Sequence, residues 1–344
     1  MKISEFIEKY DSSNQFDVLK KTYTQIEFAW NNKIDLGSIK KKGIDSVVVT
    51  GMGGSAISAD LFANFFKDEL EIPFVVNRSY TLPAFVNKNT LLIVSSYSGN
   101  TEETISVFKS ALKTKCRIIC ITTGGKIENI AKKNKVPVVK ILPGYQPRYA
   151  LGLSFFTLLK VLTRIKIINV KPGLVNSIIK LYKDKSKLYS KEKNSALSYA
   201  EEILGYIPVV YSVEGFTSSV GYRLKSQFNE NSKLLAFHNV LPEMNHNEIV
   251  GWESFDEKQF QTRIINIVDK EYPARVKKRL DIMNGITSES KIGVINLESH
   301  EKSFKVRLMD LIYLCDWITY YTAVLRGYDP SEIRNIDLLK EKLA

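Results

Sequence analysis

One stretch constrains this chain more than any other: Leu91-Leu92-Ile93-Val94, then Ser95-Ser96-Tyr97-Ser98-Gly99-Asn100-Thr101-Glu102-Glu103-Thr104. The apolar run reads as a strand buried on both faces, the mark of a parallel sheet. Ile105, Phe108 and Leu112 follow at helical spacing, with Thr101 suited to the N-cap and acidic residues in the first turn. The stretch is therefore a strand-to-helix turn crowded with hydroxyls. Backbone N–H groups and the positive end of the helix dipole converge at such a turn. Ser96, Ser98 and Thr101 add further donors, and the turn carries no Lys. Dipoles and hydroxyls together suit a compact anion, most simply a phosphate. The plain alternative is an ordinary capped turn.

A second turn of the same kind precedes it. Val47-Val48-Val49 runs into Gly51-Met52-Gly53-Gly54-Ser55-Ala56, and Ile57, Leu61 and Phe65 then mark a helix. The glycines let backbone amides approach a ligand closely, unless they serve only the angles of a tight turn. Gly51-x-Gly53-x-x-Ala56 also fits a dinucleotide fingerprint. That fingerprint needs a carboxylate at the end of the next strand. Pro73-Phe74-Val75-Val76 instead ends in Asn77-Arg78, which argues against NAD and leaves a weak NADP reading through Arg78.

Further strand patterns lie at Arg117–Ile121 and Val136–Ile141, where Pro137 points to a strand start or a sheet edge. Strands alternating with helices predict an α/β fold with a parallel sheet, and both turns fall at strand C-termini, where such sheets bind ligands. Arg148 follows Pro147 at the start of an apolar helix over 150–165. There it either holds a negative charge in a site or lies on the surface.

Residues 171–203 are Lys-rich and helical in pattern, and then strands resume with Pro208–Val213. That strand leads into Glu214-Gly215-Phe216-Thr217-Ser218-Ser219, and later apolar runs occur at 234–237, 264–268 and 292–295. The organisation predicted is an N-terminal helical segment (1–42), a first α/β domain (43–170), a helical connector (171–203) and a second α/β domain with C-terminal helices (204–344). Val306–Leu325 is apolar and aromatic enough to be a buried helix.

Composition matters mainly for what it excludes. A net charge of +12 invites a nucleic-acid reading. The basic runs, at 40–42, 132–135 and 183–193, are scattered and lack interleaved Arg. No nucleic-acid partner is expected; a positive field equally collects small anionic substrates. Cys116, Cys120 and Cys315 match neither a zinc site nor a disulfide framework. The N-terminus has no signal-peptide core and no apolar run reaches membrane length, so a cytoplasmic protein without a membrane partner is expected.

Acid–base chemistry points to the second half. Helix 218–230 ends at Glu230, where the negative end of the dipole disfavours the charged carboxylate and suits a general base. A plain exposed Glu is the alternative. His238 and the stretch Glu243-Met244-Asn245-His246-Asn247-Glu248 gather further polar groups. A metal held by His238, Glu243 and His246 is conceivable, but the spacing fits no zinc motif. His246 can equally be a structural histidine.

Gly53-Gly54-Ser55 and Ser96-Tyr97-Ser98-Gly99-Asn100-Thr101 resemble the phosphosugar loops of sugar isomerase (SIS) domains. Pro147-Arg148, Glu230, Asn245-His246-Asn247-Glu248 and Lys340 sharpen the resemblance to the bifunctional phosphoglucose/phosphomannose isomerases, from about Asp45 to the end. The resemblance implies two tandem SIS domains and interconversion of glucose 6-phosphate and mannose 6-phosphate with fructose 6-phosphate through an enediolate, without metal or cofactor. It implies that Gly53, Gly54, Ser55, Ser96, Ser98 and Thr101 bind the phosphate. Glu230 would move the proton between C1 and C2, Arg148 would stabilise the enediolate, and His246 and Lys340 would open the ring. It further implies a homodimer, with the histidine arriving from the neighbouring subunit. The family's small hydroxyl on the C2 side falls near Ile333, with Ser331 as a substitute. A non-catalytic sugar-phosphate regulator is the alternative; it would have no need for Glu230, His246 and Lys340 together.

Overall fold

The computed structural model describes residues 2–255, 260–289 and 292–343. The chain forms two compact units: a first, Lys21–Lys180, and a second built from Met1–Lys20 and Leu181–Ala344. In chain order the elements begin with helices α1 (Ile3–Tyr10), α2 (Gln15–Lys20) and α3 (Thr22–Asn31). Then come β1 (Ser46–Thr50), α4 (Gly53–Phe65), β2 (Phe74–Asn77), β3 (Thr90–Ser95) and α5 (Glu102–Ala111). The first unit continues through β4 (Arg117–Thr122), α6 (Gly125–Lys133), β5 (Val138–Lys140), a 3-10 turn at Pro147–Tyr149 and α7 (Leu151–Ile165). Helix α8 (Leu174–Tyr189) contains the boundary between units.

The first unit's sheet is parallel throughout, in the order β2-β1-β3-β4-β5. Val48 pairs with Val75 on one side and Leu92 on the other. Every residue of β1 and β3 is buried, as their uninterrupted apolar character requires of strands covered on both faces. Val48, Leu92, Val94 and Cys120 pack against Ile105 and Phe108 of α5 and Ile127 of α6. Because side chains alternate along a strand, Val47, Val49, Leu91 and Ile93 point the other way, and there α7 packs against both α3 and α4. Pro137 immediately precedes the edge strand β5, a position that needs no ladder hydrogen bond from it.

The second unit adds α9 (Ser195–Ile203), β6 (Ile207–Val213), α10 (Ser218–Glu230), β7 (Phe237–Leu241) and α11 (Glu248–Gly251). It is completed by β8 (Thr262–Val268), α12 (Ala274–Glu289), β9 (Gly293–Glu298), α13 (Phe304–Leu325) and α14 (Arg334–Leu343). Its sheet is also parallel, in the order β7-β6-β8-β9. Helix α13 is buried almost end to end and packs on α9 and α10. Its charges are paired: Arg223 meets Asp316 through Nε at 2.8 Å and Nη2 at 3.0 Å, and Arg307 meets Asp269 at 2.7 and 2.9 Å. The apolar run at 234–237 is only partly strand, since β7 starts at Phe237. The preceding residues close α10 instead, with the Leu234 N–H donating to Phe228 C=O and the Ala236 N–H to Asn229 Oδ1. Two SIS domains of α/β type, each a parallel sheet flanked by helices, are what this chain folds into. No described helix is long and apolar enough to cross a membrane.

Candidate active site

In the first unit the chain leaves β1 for β2 on one side and returns to β3 on the other. The sheet order thus reverses between β1 and β3, opening a crevice beyond their C-terminal ends. The glycine turn follows β1 and the hydroxyl-rich turn follows β3. Backbone meets backbone here: a Cβ on Gly51 would sit 2.7 Å from the Ser95 carbonyl oxygen.

In the hydroxyl-rich turn, the Ser96 hydroxyl lies 2.9 Å from that of Thr101 and accepts the Gly99 N–H at 3.1 Å. Thr101 occupies the N-cap of α5, but its hydroxyl makes no cap bond. The opening turn of α5 therefore presents amides and dipole without a side-chain cap. Ser98 is exposed, and its hydroxyl accepts the Asn100 N–H at 3.2 Å. Helix α4 likewise starts without a side-chain cap, at Gly53 with φ +50°. Two helix N-termini with bare amides thus flank the crevice.

Arg148 joins them. It is 3 % exposed, on the 3-10 turn beside the start of α4. A Cβ on Gly54 would lie 2.8 Å from the Pro147 carbonyl oxygen and 3.7 Å from the Arg148 Cα, so glycine permits this approach. Gly53, Gly54, Ser55, Ser96, Ser98, Thr101 and Arg148 all lie in turns or helix starts at this one edge. Arg78, by contrast, is paired with Asp60, which takes away the cation an NADP reading would use.

A third loop, Thr122-Thr123-Gly124-Gly125, lies outside the sequence reading above. A Cβ on Gly99 would fall 1.8 Å from the Gly124 carbonyl oxygen. The Lys126 N–H donates to Asn100 Oδ1 at 3.0 Å and the Ile127 N–H to Gly99 C=O at 2.9 Å. This loop clamps the hydroxyl-rich turn. Its signal is present in the chain, since Thr-Thr-Gly-Gly follows the apolar run Ile118–Ile121 in the same strand–glycine–helix pattern.

In the second unit, Glu230 ends α10, half-buried. It lines a cavity of about 760 Å³ with Lys9, Tyr10, Lys233, Glu332 and Ile333. His246 is exposed on a 3-10 turn, Glu243–His246. Met244 is fully buried on one side of it. On the other, the Glu248 carboxylate accepts the Tyr211 hydroxyl and the Asn239 amide, both at 2.6 Å. Tyr211 and Asn239 are register partners on β6 and β7, so Glu248 fastens the His246 turn to the sheet. Lys340 is exposed on α14, 3.6 Å from Asp337. Of Glu230, His246 and Lys340, only Glu230 lines this cavity.

His238 stands apart from His246. Its Nε2 lies 2.7 Å from the Ser212 hydroxyl, and burial lowers its pKa to about 4, with Lys225 adding to the effect. Burial therefore favours its neutral ring. Among the described residues, no group of His, Cys, Asp or Glu is placed to hold a metal. In the turn after β6, the buried Thr217 hydroxyl accepts the Val213 N–H at 3.1 Å and pairs with Tyr272.

Two family models match the chain: a SIS domain over residues 40–140 and the bacterial phospho-glucose isomerase C-terminal SIS domain over 192–343. A bifunctional phosphoglucose/phosphomannose isomerase of Caldicellulosiruptor bescii is 40% identical over 89% of this chain and 92% of its own length. The chain belongs to the bifunctional phosphoglucose/phosphomannose isomerase family. Another member, from Aquifex aeolicus, is 36% identical over 86% of this chain and 90% of its own. A hypothetical protein of Thermus thermophilus shares the fold, with a TM-score of 0.73 and 14% identity, covering 99% of this chain and 94% of that one. Across this isomerase-family chain, the first model takes in both crevice turns and the second takes in Glu230, His246 and Lys340. Arg148 falls between the two models.

Proposed function

We propose that the chain interconverts glucose 6-phosphate and mannose 6-phosphate with fructose 6-phosphate through an enediolate. The observation that carries this reading is the crevice of the first unit. Two uncapped helix N-termini, the hydroxyls of Ser96, Ser98 and Thr101, and a buried Arg148 meet at one topological switch point. Amides and hydroxyls suit a phosphate dianion, and the phosphate provides binding energy remote from the reacting carbons.

Gly53, Gly54, Ser55, Ser96, Ser98 and Thr101 hold that phosphate. Once the ring is open, Glu230 takes the proton from C2 of the aldose and returns it to C1. Arg148 faces the oxyanion of the enediolate, where a preformed cation acts most strongly as charge develops. His246 and Lys340 move protons during ring opening. Glucose and mannose phosphates differ at C2, which is planar in the enediolate, so one base serves both when the pocket lets the C2–C3 bond rotate. The active form is a cytoplasmic homodimer, with His246 reaching the neighbouring subunit's site; its exposure on a firmly anchored turn supports that role.

A coupled assay for fructose 6-phosphate from each aldose, run with a chelator present, tests the proposal. Turnover of both substrates is expected. Tight binding of the sugar phosphates without turnover would favour a regulator, and abolition of turnover by the chelator would refute the metal-free route.

A further inference from the structure

Tyr97 lies at the centre of the hydroxyl-rich turn, yet none of the roles above uses it. We propose that Tyr97 is a positioning residue that sets Arg148 in register with the phosphate loop. The inference rests on the role given to Arg148. The Tyr97 hydroxyl donates to the Leu142 carbonyl at 3.0 Å and accepts the Tyr145 N–H at 2.9 Å. At its other end, the Tyr97 carbonyl accepts the Thr123 N–H at 3.0 Å and the Thr123 hydroxyl at 2.8 Å.

One side chain thus spans from the phosphate turn to the segment leading into Arg148. That segment has no regular structure and contains Gly144 at φ +96°. A loop of this kind holds its geometry only through the bonds it makes to its surroundings. Tyr97 fixes it at Leu142 and Tyr145, and the contact between Gly54 and Pro147 fixes it just before Arg148. Burial raises the phenol's pKa further above neutrality, and its hydrogen remains available to Leu142. A cation aimed at a developing oxyanion loses much of its effect when misplaced by about 1 Å. The phosphate loop, held separately by Thr122–Gly125, does not depend on the phenol.

Steady-state kinetics of Tyr97→Phe test this, since the variant keeps the ring and removes both hydroxyl bonds. The expected result is kcat lower by roughly tenfold, with KM and inhibition by inorganic phosphate within about twofold of the parent. In an Arg148→Lys background the same change should cost less than about twofold, because the phenol acts only through the placing of Arg148. Gly144→Ala strains the backbone between the phenol's two partners, Leu142 and Tyr145, while leaving the phenol in place, and should reproduce the loss in kcat. The proposal is overturned by unchanged kcat in Tyr97→Phe, by a rise confined to KM, or by multiplicative effects in the double variant. A wild-type chain that turns over neither sugar phosphate refutes the functional reading itself. In an active wild type, the outcomes above bear on Tyr97 alone.

Discussion

Ser96 and Thr101 satisfy each other across the turn, leaving Ser98 as the exposed hydroxyl of the three. Ser98→Ala should therefore raise KM for both aldose phosphates by about 3- to 10-fold with kcat retained, because it removes binding common to ground and transition states. A matching fall in kcat would place Ser98 in the chemistry instead. Glu230→Gln keeps the shape and loses the base, so kcat should fall by about 10²–10⁴-fold while calorimetry still detects sugar-phosphate binding. Residual turnover near the parental rate would remove Glu230 from the mechanism. His238 makes a prediction about pH. Its folded pKa of about 4 lies below the ordinary value of 6.5. Between those values the unfolded chain takes up a proton that the folded chain refuses, so stability is full above pH 6.5 and declines as pH falls toward 4. Urea unfolding should show roughly 2–3 kcal/mol lost from this group between pH 7 and pH 4.5. A His238→Gln variant should lack that share of the slope; an identical slope would assign the acid sensitivity elsewhere.

At the scale of elements, each strand–turn–helix unit of the crevice was legible in the sequence because its signals are local. The apolar runs gave β1 and β3, and the glycines and hydroxyls gave the turns between them and α4 and α5. The partners of those turns were not legible. Nothing near Gly99 announces that Gly124 stands against it, and nothing near Tyr97 announces Leu142 and Tyr145, because these contacts arise only when parallel strands align. Thr101 shows a nearer limit: local pattern made it a cap, while Ser96 of the same turn claimed the hydroxyl. The clamp at Gly99 is testable. Gly99 has φ +68°, and a methyl there would meet the Gly124 carbonyl oxygen. Gly99→Ala should cost several kcal/mol by combining backbone strain with a clash, and should abolish protection of the protein by inorganic phosphate in thermal melts. A parental melting temperature with intact phosphate protection would show that α6 does not brace the turn.

At the scale of the whole molecule, the second unit is assembled from both ends of the chain, which no local pattern announces. Its first twenty residues pack on the helix farthest along its sequence that is fully buried, α13. The Phe16 ring meets Trp317 edge-on at 5.4 Å, the Tyr313 hydroxyl donates to Leu19 C=O at 2.8 Å, and the Tyr320 hydroxyl donates to Asp11 Oδ2 at 2.8 Å. Helix α13 is buried around its whole circumference, so it needs cover on every side, and α1 and α2 contribute to that cover. Leu19 is 2 % exposed, so Leu19→Ala should remove about 2–5 kcal/mol through lost burial and the cavity left behind. The loss belongs to the second unit, and the tryptophans can locate it. Trp252 and Trp317 lie in that unit and Trp30 in the first, so a Trp30→Phe background makes fluorescence report the second unit alone. In that background Leu19→Ala should shift the denaturant midpoint of the fluorescence transition downward. An unshifted midpoint would mean that α13 holds its place without the amino-terminal helices, and that the second unit is complete from residue 181 onward.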